Sequence, residues 1–520
     1  MPLAAPFDSP PASRAPRGPT LDSAMSSTAG ATGPSQAARP SSPTMVAAAN
    51  LRLSGALSER GVSSQPMTPR PLVLVHGYSD TYEGWDAWKD VIAGWDEKPR
   101  PLHLGNYISL SNEVTLKDVA EGFDRALRRE AGIGPDQEFD AMVHSTGMLV
   151  VRAWLNSYSE GEQRRARLKH LVALAPATNG SPLAHKGRSW LGSIFKGNRQ
   201  TGPDFLEAGD EILHGLELAS KFTWDLAHDD MLEDNARFKP GPDTPFVFTF
   251  CGNRNYGFLK SLVTNEDGTD GTVRWAGCAL NSRKIVVDMA VSPESKDEPT
   301  IEVSEWANQD HPLTVIDGLN HGTIVSKPNA VLKHLVRDAL SVETADEFEA
   351  WNQKAAKKTE GARKKAARWQ QFVIRVVDER GDPVTDWIAQ LYGQHNARTS
   401  LQEFAMDVHV FKRDPSLRCF HVDLDELQPQ KLKQLHLRVI ASSGTRLVAY
   451  HGAGSERVTR RGVPIDGDAK WDARISLTGV LSDDGGFQIF YPFTTTFVEI
   501  RMNREPMPIS GRNEVFWFPG

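Results

Sequence analysis

The segment that most constrains this chain is a strand–turn–helix unit near residue 145. Residues 139–143 form a short, mostly apolar run, long enough for one buried strand, and residues 148–155 have the length and residue types of a helix start. Between them stands Ser145-Thr146-Gly147. A serine on so tight a turn is pushed clear of the sheet edge, with a backbone N–H and the positive end of the next helix beside it. Ser-x-Gly alone is weak, because Gly makes up about 7% of ordinary sequences and the pattern recurs by chance. The plain alternative is a turn serine. The small residue usual two positions before such a serine is here Val143, which suits a strand but crowds the helix packing across the turn. The flanking sequence has to decide.

It supplies an alternating rhythm. Residues 72–75 (Leu-Val-Leu-Val) read as a buried strand running into His76-Gly77-Tyr78, and residues 84–93 read as a helix. Residues 101–110 follow as a strand. Leu116, Val119, Phe123 and Leu127 then mark one face of an amphipathic helix. After the serine unit, residues 171–174 form a strand leading into Ala175-Pro176-Ala177-Thr178-Asn179-Gly180-Ser181. Strands alternating with helices predict an α/β domain, doubly wound about a mostly parallel sheet with both faces covered. From about 182 to 245 the rhythm breaks into a helical insertion. Trp190, Leu191, Ile194 and Phe195 share one face, and Ile212, Leu213, Leu216 and Ala219 another, with Phe222 and Trp224 following. The insertion is expected either to cap a pocket or to extend the core. Residues 246–251, 285–290 and 313–315 resume the strands, and a helix over about 329–340 closes a domain spanning 70–345.

Two flanks differ in character. Residues 1–69 are rich in Ala, Ser, Pro and Thr, with Phe7 as the one aromatic, so they are expected to be disordered. Residues 346–368 carry seven Lys or Arg between Lys354 and Arg368 against Glu360, which reads as a basic, solvated helical linker. Residues 369–520 turn to short alternating strands, such as Leu435, Leu437 and Val439, and Thr496, Val498 and Ile500; a C-terminal all-β, sandwich-like domain of unassigned role is expected.

Composition narrows the function. A formal net charge of −7 gives no footprint for nucleic-acid binding. Cys251, Cys278 and Cys419 have no paired spacing, so neither a disulfide framework nor a cysteine zinc site is expected. No apolar run has the length of a membrane span, and the first residues lack the basic-then-apolar pattern of a secretory signal. A cytoplasmic location is the expectation, with export by a signal-independent route as the alternative.

Three loops at the carboxyl ends of predicted strands offer Ser145, Asp270 and His321, in the chain order associated with a nucleophile turn. A serine hydroxyl needs a base to take its proton, and the base needs a carboxylate to hold it. Asp267 is a rival acid in a near-identical setting; Asp270 is preferred because Gly271-Thr272-Val273 leads back to the sheet. The loop lacks the ligand spacing of a calcium-binding hand. Among other histidines, His144 is expected to point away from the nucleophile, and His311 precedes its strand; His185 is the remaining competitor. The oxyanion of acyl transfer would be met by the backbone N–H groups of Thr146 and Tyr78.

Together, His76-Gly77-Tyr78, His144-Ser145-Thr146-Gly147, Asp270-Gly271-Thr272-Val273 and Asn320-His321-Gly322 resemble the oxyanion loop, elbow, acid loop and histidine loop of the α/β-hydrolase superfamily. The acid loop most resembles the lipase-like branch that includes lecithin–cholesterol acyltransferases and GPI inositol-deacylases. Residues 175–182 resemble the segment that leads into the cap of bacterial lipases. The resemblance covers about 70–345. It implies carboxylic ester hydrolysis, of lipids above all, through an acyl-serine, with no metal and no organic cofactor. The expected partners are an ester or lipid substrate and a membrane or lipid surface, with no nucleic acid. Two alternatives stand beside this: a phospholipase exported without a signal peptide, and a non-catalytic hydrolase-fold scaffold that binds a partner through its C-terminal domain.

Overall fold

The computed structural model describes residues 70–506 except 78–81, 96–100, 104–111, 158–160, 185–208, 233–236, 242, 257–266, 291–299, 397–399, 446, 453–469 and 479–488. Five parallel strands come first: β1 (Leu72–Val75), β2 (Pro101–His103), β3 (Phe139–His144), β4 (Leu168–Leu174) and β5 (Phe246–Gly252). Between them run α1 (Asp86–Ala93), α2 (Leu116–Arg129), α3 (Gly147–Asn156), α4 (Gly161–Arg167), α5 (Asp210–Leu216) and α6 (Lys221–Asp230). The start of α2 shows why the sequence folds as read. The Thr115 hydroxyl accepts from Asp118 N–H while the Asp118 carboxylate accepts from Thr115 N–H, a capping box. Leu116, Val119, Phe123 and Leu127 are all buried, and Arg128 and Arg129 sit at the negative end of the helix.

Next come the short α7 (Trp275–Cys278), then β6 (Ser282–Asp288), β7 (Thr300–Val303), β8 (Leu313–Ile316), α8 (Thr323–Ser326), α9 (Ala330–Ala339) and α10 (Ala345–Lys365). The parallel sheet has the order β2-β1-β3-β4-β5-β8, with Thr249 opposite Leu313 where β5 meets β8. Strand order reverses at β1, so the loops after β1 and β3 flank the crevice where open α/β sheets place ligands.

Two expectations are corrected here. The strand read at 285–290 does not join the parallel sheet. As β6 it alternates between buried and half-buried positions, unlike the wholly buried β1 and β5, and it pairs elsewhere. The basic stretch 346–368 is more than a solvated linker. Phe348, Trp351, Ala355, Thr359 and Ala362 recur at helical spacing along α10 and are buried, and Phe348 and Trp351 pack on Phe246, Phe248 and Phe250 of β5. The lysines occupy the opposite, exposed face.

The remaining strands are β9 (Trp369–Asp378), β10 (Asp386–Gln394), β11 (Gln402–Phe404), β12 (Asp407–Val410), β13 (Leu417–Asp423), β14 (Gln434–Ser442), β15 (Val448–His451), β16 (Lys470–Ser476) and β17 (Thr495–Pro506). One sheet is antiparallel, β11-β10-β14-β16; the other runs β12-β13-β9-β17-β6-β7, with β15 on the far end of β17. β17 is parallel to both neighbours, β9 and β6, so this sheet is mixed. Val287, Ile374, Val376 and Ile500 of one sheet share a core with Trp387, Val439, Trp471 and Ile475 of the other. The apolar cavity left between them measures about 70 Å³. Because β6 and β7 leave the first half of the chain to join this sheet, Met67–Gly520 forms one unit.

Candidate active site

The serine turn carries strain. Ser145 has φ 54°, a left-handed conformation that costs a non-glycine residue of order 1–3 kcal/mol. The neighbourhood holds it: Ser145 N–H donates to Leu174 C=O at 3.2 Å, and Ser145 C=O accepts from Ala177 N–H at 3.1 Å and Met148 N–H at 3.2 Å. Two glycines permit the packing. A Cβ on Gly147 would lie 3.0 Å from Val75 O and 3.1 Å from His76 O, and one on Gly77 would lie 2.9 Å from Ser145 Cβ. Val143 is accommodated as a strand residue, paired with Val75 on one side and the small Ala173 on the other. Thr146 is buried at the N-cap of α3. Tyr78 and His185 lie outside the described residues, as do Trp190, Leu191, Ile194 and Phe195 of the insertion.

Two of the three candidate side chains are in contact. Asp270 and His321 are both fully buried, and His321 Nδ1–H donates to Asp270 Oδ2 at 3.0 Å. The other carboxylate oxygen accepts from Thr272 N–H at 3.0 Å and Val273 N–H at 2.9 Å, and His321 N–H donates to Asp270 C=O at 3.1 Å. Four hydrogen bonds thus fix one carboxylate and one backbone carbonyl in place. Asp267 is exposed at the start of the same loop. His311 is buried against Phe348, and burial alone pushes its pKa down to about 3.

His144 is where sequence reasoning falls short. Its ring lies 4.8 Å from the His321 ring, centroid to centroid, and its Nε2–H donates to His321 C=O at 3.0 Å. Burial, then the neighbouring His321, hold its pKa well below the usual range. It therefore ties the serine turn to the histidine loop as a neutral ring. Tyr256 was also missed. A Cβ on Gly271 would lie 2.6 Å from its ring, and its hydroxyl is 3.5 Å from Thr272 Oγ1, so it packs over the acid loop. Burial raises its pKa, keeping the phenol neutral. Nothing in the spacing of either residue signals these contacts.

The insertion is anchored to the same centre. Arg152 of α3 and Asp230 of α6 form a fully buried ion pair at 2.6 Å, and Arg152 Nη1 also donates to Thr178 C=O at 2.6 Å. The Ser181 hydroxyl donates to Thr272 C=O at 2.7 Å, while Ser181 N–H donates to Leu216 C=O at 2.8 Å. Ile212, Leu213, Leu216 and Ala219 are all buried, so in the described part the insertion extends the core. Among the described residues no group of three or more His, Cys, Asp or Glu could hold a metal ion, and no helix is long and apolar enough to cross a membrane.

No family model matches the sequence, and no curated protein is similar to it by sequence. Solved structures are similar in shape. The Legionella pneumophila phospholipase PlaB superposes with a TM-score of 0.66 at 21% identity, over 87% of this chain and 97% of that one. The same protein in complex with thio-NAD gives 0.64 at 22% identity, over 86% and 97%. The mature Bacillus licheniformis lipase BlEst2 gives 0.36 at 16% identity, over 54% and 96%. The chain has the α/β-hydrolase fold, extended by a second lobe of two packed β-sheets.

Proposed function

We propose that this protein is a serine hydrolase that cleaves carboxylic esters, with lipids as its substrates. The observation that carries the reading is the buried Asp270–His321 hydrogen bond, on a loop tied through the His321 C=O to His144, the residue next to Ser145 in its strained left-handed turn. Ser145 Oγ attacks the ester carbonyl as its proton passes to His321 Nε2. The Thr146 and Tyr78 N–H groups receive the oxyanion, each such donor being worth roughly 3–4 kcal/mol of barrier. The tetrahedral intermediate collapses, His321 returns its proton to the departing alcohol, and an acyl-serine remains. Water then attacks that ester with His321 as base, the acid leaves, and Ser145 regains its proton. Asp270 holds the ring in place and stabilises the imidazolium.

A phospholipid substrate is the finer reading, favoured by a likeness that runs along 97% of a phospholipase and includes the second lobe. A fluorophosphonate probe labels the wild type and fails on Ser145→Ala, whose turnover of p-nitrophenyl butyrate falls by at least ~10⁴-fold. Equal labelling of the two proteins would refute the serine assignment. Release of fatty acid from phosphatidylcholine vesicles separates a phospholipase from an esterase confined to short soluble esters.

A further inference from the structure

The acid loop does not stand alone on the hydrolase body; the second lobe carries it. Gly268, two residues before Asp270, has φ +71° and lies flat on two rings. A Cβ there would sit 2.6 Å from the Trp369 indole and 2.8 Å from His421 Cε1. Trp369 and His421 come from the paired ends of β9 and β13 and stack at 4.3 Å, 25° from parallel. Beyond the acid, Trp275 N–H donates back to Gly268 C=O at 2.9 Å, closing the loop. Buried Arg274 forms an ion pair with Asp407 of β12 and reaches Cys419 of β13 at 3.5 Å. The Thr495 hydroxyl of β17 donates to Ala276 C=O at 3.1 Å. The β12–β13 hairpin also grips the insertion, through His409 Nε2 to Glu217 Oε1 at 3.0 Å and Arg413 to Glu211 at 2.6 Å. So both ends of the loop bearing Asp270, and the helices beside it, are fastened to strand ends of the second lobe.

We propose that Trp369 and His421 are positioning residues for the catalytic acid: by bearing on Gly268 they set the angle at which Asp270 meets His321, which makes the C-terminal sheet a working part of the ester-cleaving site. The inference rests on the Ser145–Asp270–His321 reading. A shift of about 1 Å in a catalytic group can cost on the order of 100-fold in rate. A carboxylate turned away from an imidazole also ceases to favour its protonated form, which lowers the pKa governing the acid limb of the pH–rate profile.

The test uses the full-length chain with p-nitrophenyl butyrate. Trp369→Leu is expected to lower kcat about 30-fold with KM within twofold, and to move the acid limb of kcat/KM to lower pH; Trp369→Phe, which keeps a flat ring, restores most of the rate. Trp387→Leu serves as the control, because Trp387 is buried between the two sheets of the second lobe against Phe420, whose side chain leaves β13 on the face opposite that of His421. It should lower stability and leave kcat and the profile in place. If Trp369→Leu does not fold, Asp407→Asn releases the Arg274 anchor at a half-exposed site and is expected to lower kcat about threefold with the same shift of the limb. Unchanged kcat and profile in Trp369→Leu, or in Asp407→Asn where that stands in, would overturn the proposal, provided Asp270→Asn abolishes turnover. An equal loss of kcat in Trp387→Leu would overturn it too. Full turnover in Asp270→Asn would instead remove the triad reading itself, and the proposal with it.

Discussion

The parallel sheet and the two sheets of the second lobe are built on opposite rules. β1, β3 and β5 are buried at every position, and their side chains meet helices on both faces. β14 alternates, with Leu435 and Val439 buried and His436 and Arg438 only partly so, one face in a core and the other toward water. The first kind of strand is specified by its own apolar run and its neighbours in sequence. The second kind belongs to a lobe whose strands take partners from far along the chain: in its mixed sheet β17, starting at Thr495, lies between β9 at 369 and β6 at 282. The difference teaches where the weak point lies. The parallel sheet carries Ser145 and His321, whereas the loop holding Asp270 is braced by strands that must first find each other over more than a hundred residues.

If that interweaving makes the two regions one cooperative unit, a core deletion in either should melt both. Ile500 of β17 is fully buried opposite Val376 and Val287, and Leu74 of β1 is fully buried opposite Met142. Ile500→Ala and Leu74→Ala should each cost ~2–5 kcal/mol and shift one shared transition in calorimetry. A trace that splits into two transitions, with only the mutated region moved, would break the comparison.

Acid sharpens it. His76, at the end of β1, has its pKa pushed down to about 4 by burial, against which its hydrogen bond to Gly77 C=O works weakly. Its folded pKa lies below its unfolded value, so between them the unfolded chain binds the extra proton. Stability therefore falls as pH drops from about 6.5 toward 4 and levels off below that, a span worth about 3 kcal/mol for this one residue. His144, His311 and His421 are depressed in the same direction. In urea unfolding at pH 7, 5.5 and 4.5, His76→Gln should flatten the dependence without abolishing it. A slope identical to wild type would show that His76 titrates normally in the fold.

Much of the parallel sheet was legible because residues 72–75 and 171–174 can do little except become buried strands. The turn over 268–273 was legible for a related reason: Gly268 and Gly271 both adopt positive φ, and Asp270 between them closes a turn back onto Val273. What escaped did so for physical causes. His144 was read as structural, but its hydrogen bond to the His321 C=O joins residues 177 apart, which no local spacing rule signals. β6 was assigned to the wrong sheet because a short apolar strand carries no mark of its partner. In α10 the lysine count masked the stripe from Phe348 to Ala362 that covers β5.

That helix provides the smallest effect and the finest test of the contrast between a buried and a solvated face. Trp351 donates its indole N–H to Leu335 C=O within the core, whereas Lys364 pairs with Glu360 at 2.5 Å in the open. An exposed i,i+4 pair holds two mobile side chains together under salt screening, and such pairs seldom register in stability. Lys364→Ala should therefore leave Tm within about 1 °C and turnover unchanged. Neutralising Lys364 together with Lys365 asks the more useful question. If the basic face is merely solvated, retention of the protein on anionic phospholipid vesicles stays the same; a clear loss of retention would make this face of α10 a surface that meets lipid.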